Sequence, residues 1–251
     1  MRILVTFAVD WEFKPWLRLG KFQPVPGQKH TYRAVIAGSD VRVLLTGVGA
    51  DNAVRSIRTV ADEIPDACIV SGLAGGLKHQ HRPGDILVAH SARAEWMGAV
   101  FESSGELFSA ATECGAKPVN QFISTTHVVR TVHEKGRLGA SADAVDMETF
   151  AIMKEMSGVG VPSVAIRSVA DSAEMDVPCD FDQALDESGR IRIGQVLAQV
   201  IGDPRQAWPL ARLGVQSSRA AASLARYLNA FITHLSEHKE KMDLSVPSIS
   251  Q

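Results

Sequence analysis

Three consecutive stretches decide the fold: "VRVLLTGVG" (41–49), "DNAVRSIRTVADEI" (51–64) and "ACIVSGLAGG" (67–76). The first and third are short, β-branched apolar runs ending in glycine, the pattern of a strand buried on both faces. In the middle stretch Val54, Ile57, Val60, Ala61 and Ile64 recur at helical spacing behind Asp51 or Asn52, either of which would serve as cap. A strand, a helix and a second strand in this order form one unit of a layered α/β sheet.

The strand signature returns in "RILVTFAV" (2–9), "GDILVAHS" (84–91) and "PSVAIRSVADSA" (162–173). Continuous apolar strands alternating with helices predict a sheet covered on both faces. In "QAWPLARLGVQSSRAAASLARYLNAFITHL" (206–235), Leu210, Leu213, Ala221, Leu224, Leu228, Phe231 and Leu235 follow a broadly helical pattern, which predicts C-terminal helical packing. "GKFQPVPGQKHTY" (20–32) and "DSAEMDVPCDFDQALDESGR" (171–190) mix proline, glycine and charge and read as loops inside one domain. Residues 1–238 are therefore read as a single domain and 239–251 as a flexible tail.

A chain of 251 residues with 45% hydrophobic and 22% charged residues sits in the ordinary globular range and can bury a full core. Its formal net charge of -2 and the absence of a basic run give no general attraction to phosphate backbones or anionic lipid. Nucleic acid and membrane are thus set aside as partners, and a small molecule is expected. The opening "MRILVTFAV" lacks the length and cleavage site of a signal peptide, so the expected location is cytoplasmic. Cys68, Cys114 and Cys179 form no CxxC pair and read as packing residues. His79 and His81 in "LKHQHRPGD" (77–85) have no companion ligands, and His127 in "ISTTHVVR" (123–130) suits a surface or pocket wall. Neither a metal nor a cofactor is called for.

Four stretches carry the chemistry: "FAVDWEF" (7–13), "SGLAGGL" (71–77), "AVDMETFA" (144–151) and "IRSVADSA" (166–173). Each follows or ends a predicted strand, and ligands of open α/β sheets bind at the carboxyl ends of strands. Glu12, Glu148 and Asp171 are the acids that would meet there. Each has a plain alternative: Glu12 as a solvated residue of the loop after the first strand, Glu148 as an acid favoured at a helix start, Asp171 as a turn cap. The glycines of "SGLAGGL" permit close backbone approach, or make only a tight turn. Glu148 among apolar neighbours raises a sharper question, because a buried carboxylate must be paired, hydrogen-bonded or needed by a ligand.

With these stretches in order, and with "VDME" followed by "RSVAD" as the most specific element, residues 1–185 resemble the purine nucleoside phosphorylase and uridine phosphorylase superfamily, nearest its nucleosidase branch. That branch is typified by 5'-methylthioadenosine/S-adenosylhomocysteine nucleosidase. The resemblance implies a three-layer α/β/α fold with a central mixed sheet, assembled as a homodimer or larger homo-oligomer. It implies hydrolysis of the N-glycosidic bond of an adenosine-type nucleoside. Glu12 then corresponds to the residue that activates water, Glu148 to the ribose-hydroxyl ligand and Asp171 to the acid at purine N7. Ala74, Gly75, Met147 and Arg167 correspond to the substrate-binding wall, with Val128 in the place of a base-stacking aromatic and Phe181 over the 5' side. Phosphorylases of the superfamily typically carry an arginine where this chain has Val70, which favours water over phosphate as nucleophile. Leu73 and Ala170 stand where the nucleosidases usually have serine. The alternatives are a phosphorylase of an adenosyl conjugate of the adenosyl-hopane type, a futalosine-type hydrolase and a non-catalytic nucleoside-binding module.

Overall fold

In the computed structural model, which describes residues 1–59, 64–183 and 204–245, β1 (Arg2–Phe7) runs parallel to both β4 (Ser39–Leu45) and β5 (Ala67–Gly76). The chain passes from β4 to β5 through α2 (Ala50–Arg58), the unit expected from residues 41–76. The cap differs from expectation: Gly49, at φ 93°, precedes the helix, while Asp51 and Asn52 lie inside it. The backbone leaves β4 through a left-handed turn that only glycine adopts at low cost, so the helix starts one residue before either polar candidate. Ala53 and Ile57 form the buried face, Ile64 is exposed, and Val60 and Ala61 lie outside the described residues.

The other strands are β2 (Gln23–Pro24), β3 (Thr31–Ile36), β6 (Ile86–Ala94), β7 (Val100–Glu102), β8 (Lys117–Ser124), β9 (Ala144–Asp146) and β10 (Ser163–Asp171). The ten strands form one mixed sheet in the order β10-β6-β8-β9-β5-β1-β4-β3-β2, with β7 on the edge of β6. β10 also pairs with β5, so five strands close on themselves while β1 to β4 extend outward. "GKFQPVPGQKHTY" is therefore not all loop, since Gln23–Pro24 and the start of β3 pair as an antiparallel ribbon. The proline sits in an edge strand, where a missing N–H is tolerated.

Helices cover both faces. Phe13 and Trp16 of α1 (Asp10–Leu19), Leu107 and Ala111 of α3 (Gly105–Glu113), and Ala220, Leu224, Leu228 and Phe231 of α6 (Ala207–Ser245) pack on one side. Ala53 and Ile57 of α2 and Ile152, Met153 and Met156 of α5 (Thr149–Gly158) pack on the other. A smaller cluster around Leu138 carries α4 (Val132–Gly139) at the end of the sheet. The architecture is the three-layer α/β/α arrangement with a mixed sheet. The expected C-terminal helix runs on to Ser245, past the anticipated tail boundary at 239, and 246–251 lie outside the described residues, as do 184–203. No described helix is long and apolar enough to cross a membrane.

Candidate active site

The carboxyl ends of β1, β5 and β10, strands parallel to one another, bring the acids of distant segments together. Glu12 is not a loop residue: it lies in the first turn of α1 and is buried. Its Oε2 accepts from the backbone N–H of Ala8 at 3.1 Å and of Val9 at 3.4 Å, and its Oε1 from that of Leu73 at 3.0 Å. Burial pushes its carboxyl above the usual range, while the Arg167 guanidinium and these N–H groups pull it back.

"SGLAGG" is the end of β5 rather than a turn, and its glycines answer a packing demand. A Cβ at Gly72, where φ is +142°, would stand 2.1 Å from Arg167 Nη1 and 3.3 Å from Glu12 Oε2. Gly72 is thus the gap through which the guanidinium reaches the site. Arg167, expected on the substrate wall, is buried and turned into the protein. It donates to Ser71 O at 3.0 Å, to Thr149 Oγ1 from Nε at 3.1 Å and Nη2 at 2.8 Å, and pairs with Asp146 Oδ2 at 2.5 Å. Its Nη2 lies 3.7 Å from Glu148 Oε2. A fully buried guanidinium needs such a set of acceptors, and that set fixes the backbone around Glu148.

Glu148 is the residue before the first turn of α5 and is buried. Its Oε1 accepts the Gly49 N–H at 2.8 Å, from the turn that opens α2. Burial pushes its carboxyl up to about 7; Arg167 and the Gly49 N–H oppose this, and Asp146 and Glu12 add to it. The carboxylate among apolar neighbours is therefore partly paired and partly hydrogen-bonded, with acceptor capacity left over. Met147 beside it is half-buried.

Asp171 ends β10 at a bulge: Val169 pairs with Ala74 and Asp171 with Gly75, so Ala170 is the extra residue. Such a bulge re-aims the next side chain. Gly75 leaves room for it, since a Cβ there would lie 3.4 Å from Asp171 Oδ2 and 3.2 Å from Val145 Cγ1. The buried carboxyl meets an unexpected partner. Lys135 of α4, with no exposed side-chain surface, contacts Asp171 Oδ2 and also donates to Ser172 O at 2.9 Å and Met175 O at 2.6 Å. Burial raises the Asp171 carboxyl and Lys135 pulls it down.

Val128 and Phe181 sit on two loops stitched together beside this end of the sheet. The Val128 N–H donates to Asp182 at 3.1 Å, the Val177 N–H to Arg130 O at 2.8 Å, and Arg130 pairs with Asp180 at 3.2 Å. Both residues are half-buried. Ala74 is buried on β5 between Leu73 and Gly75. His127 pairs with Glu134 at 2.8 Å and His79 with Glu174 at 2.7 Å, so neither enters the acid cluster. Val70 is a fully buried core residue.

Lys135, Asp146, Thr149, Gly72 and Gly49 were not among the residues expected here. Asp146 and Thr149 flank the Met-Glu pair, and an acid and a hydroxyl on either side of a buried Glu are a legible sign of a hydrogen-bonded turn. "HEKGRLG" offers no such sign for Lys135: in sequence it is an ordinary charged helix.

Residues 2–106 match the phosphorylase superfamily model. A 5'-methylthioadenosine/S-adenosylhomocysteine nucleosidase of Bacillus cytotoxicus is 26% identical, with 75% of this chain and 93% of the relative covered. Among solved structures, the nucleosidase of the same name from Helicobacter pylori superposes with a TM-score of 0.70 at 18% identity, covering 92% of this chain and 97% of that one. The futalosine hydrolase of Helicobacter pylori gives a TM-score of 0.70 at 17% identity over 92% and 97% of the two chains. The nucleosidase of Neisseria meningitidis in complex with methylthio-immucillin-A gives 0.68 at 22% over 92% and 98%. Residues 2–106 are thus similar to the phosphorylase superfamily, and the described residues share the nucleoside phosphorylase-like fold of the solved nucleosidases.

Proposed function

We propose that the chain is an N-glycosyl hydrolase that cleaves an adenosine-type nucleoside, of the 5'-methylthioadenosine or S-adenosylhomocysteine kind, to the free base and a ribose derivative. The observation that carries this reading is the set of three buried acids at one end of the sheet, each held differently. The names of the relatives at 26% identity support it.

Breaking a ribosyl C–N bond sends the base out with the bonding electron pair and leaves oxocarbenium character on the sugar. Glu12, fixed by three backbone N–H groups, is placed to take a proton from the attacking water. Glu148 receives ribose hydroxyls on its remaining acceptor sites, an interaction that strengthens as positive charge builds on the ring. Asp171 delivers or shares a proton at N7 so that the base departs neutral. Lys135 saturates Oδ2, which leaves the other carboxylate oxygen for the base. Val128, Met147 and Phe181, each half-buried, would flank the base and the 5' group.

Water is favoured over phosphate because the two buried cations described here, Arg167 and Lys135, are both committed to carboxylates. A phosphate site at the sugar needs arginine or lysine donors of its own. Assembly as a homodimer fits the exposed Trp96 and Met97 in the turn between β6 and β7 and the exposed Val100 at the start of β7. A reducing, cytoplasmic setting fits the three free cysteines. Incubating the purified chain with methylthioadenosine, adenosylhomocysteine, adenosine, inosine and futalosine, with and without phosphate, tests the reading. Free sugar independent of phosphate supports it. A phosphate-dependent ribose 1-phosphate makes the chain a phosphorylase, and binding without turnover makes it a nucleoside-binding module.

A further inference from the structure

Away from the acid cluster, where the C-terminal end of α3 meets the far half of α6, three metal-ligating side chains converge that the reaction above does not use. His234 and His238 are four residues apart on α6 and so share one face. Glu113, the last residue of α3, faces them. Each offers a ligand atom, and the three atoms lie within 4.8 Å of one another. The two imidazole rings sit 4.0 Å apart, tilted by 40°.

Two details make the group more than a chance contact. His238 Nδ1 lies 3.1 Å from the His234 carbonyl oxygen, which can only accept, so Nδ1 carries the hydrogen and Nε2 of the neutral ring presents its lone pair. His234 Nε2 is shut off from water and has no hydrogen-bond partner, although Glu113 Oε2 stands 3.4 Å away. A buried ring nitrogen beside a carboxylate, without a hydrogen bond between them, leaves the imidazole under-satisfied while the exposed Glu113 is hydrated.

We infer that Glu113, His234 and His238 form a binding site for a borderline divalent cation of the zinc class. Two imidazoles and a carboxylate are a ligand set that such ions accept, with a water completing the tetrahedron. Bonds of about 2.0–2.2 Å would draw the donor atoms to roughly 3.4 Å from one another. Glu113, 63% exposed, and the exposed His238 have the freedom to make that movement. The ion would staple α6 to α3 on one layer of the fold and would touch none of Glu12, Glu148 or Asp171. The sequence reading weighed only His79 and His81 as a metal pair, because the pairing of α3 with α6 is invisible in the chain order.

The test uses the untagged full-length chain, stripped with EDTA and titrated with zinc and, separately, with cobalt. One zinc per chain is expected, with a Kd on the order of 10 μM, and cobalt should give the visible absorbance of a tetrahedral site. His234→Ala and His238→Ala should each weaken zinc binding by roughly tenfold or more, Glu113→Gln should weaken it less, and His79→Ala should leave it unchanged. Zinc at about a hundred times Kd should raise the melting temperature of the parent by roughly 5 °C and not that of His238→Ala. Zinc affinity and stoichiometry unaffected by either histidine substitution would place the ion elsewhere and overturn the inference. So would no zinc bound at about 100 μM.

Discussion

Replacing Lys135 by methionine isolates the contact that most constrains the proposed acid. The lysine side chain is fully buried, and its Nζ faces three acceptors: Asp171 Oδ2, Ser172 O and Met175 O. Methionine fills a similar volume but supplies neither charge nor donors. Asp171, itself buried, would then hold its charge with no partner, and removing one member of a buried pair typically costs about 3–5 kcal/mol. The carboxyl relieves that cost by staying protonated. Its folded-state pKa is already above the unfolded value, with burial raising it and Lys135 restraining it, so the substitution raises it further. A raised carboxyl contributes stability that is fully present below the unfolded pKa and lost as pH rises through the folded one. The variant should therefore be destabilised most at pH 8, by about 3–5 kcal/mol. The deficit should shrink towards about 1–2 kcal/mol at pH 5, where only the two unsatisfied carbonyls remain. Urea unfolding of the parent, Lys135→Met, Asp171→Asn and the double variant at both pH values reads this directly. In the double variant the charge is gone, and most of the loss at pH 8 should be recovered. A deficit that is equal at the two pH values and unchanged by Asp171→Asn would refute the ion-pair reasoning.

Gly72→Ala places a methyl 2.1 Å from Arg167 Nη1 on a backbone with φ +142°. It should cost more than about 3 kcal/mol by displacing a buried guanidinium, seen as a large fall in melting temperature or loss of soluble protein. Glu148, pushed up to about 7 by burial, should contribute stability that is lost between about pH 4.5 and 7. The parent should lose roughly 2–3 kcal/mol over that interval relative to Glu148→Gln, and parallel curves in urea would contradict this. Asp171→Asn should lower kcat by about 10²–10⁴-fold on methylthioadenosine while Kd for a non-hydrolysable analogue changes little; equal turnover would remove Asp171 from the reaction.

Much of this molecule is written along the chain. β-branched apolar runs ending in glycine or polar residues mark β1, β4, β5, β6 and β10 because a strand covered on both faces must be apolar throughout. β3 and β8 escaped, since "TYRAVI" and "KPVNQFIS" alternate with polar residues at exposed positions and lack that continuous signal. The acids were legible as residue types at strand ends, and Glu148 drew attention because burial of a carboxylate is costly.

What the chain order determined was the repertoire: a layered α/β sheet and three carboxylates beside it. Only the tertiary structure decided how each charge is balanced. Asp171 meets a lysine from a helix 36 residues earlier, Arg167 turns inward to Asp146 through the gap at Gly72, and Glu148 draws a backbone N–H from Gly49. Periodicity records which face of an element is apolar, and that is a local property. The partner of a buried charge is set by which strand ends meet when the sheet closes between β5 and β10, and no local pattern encodes it.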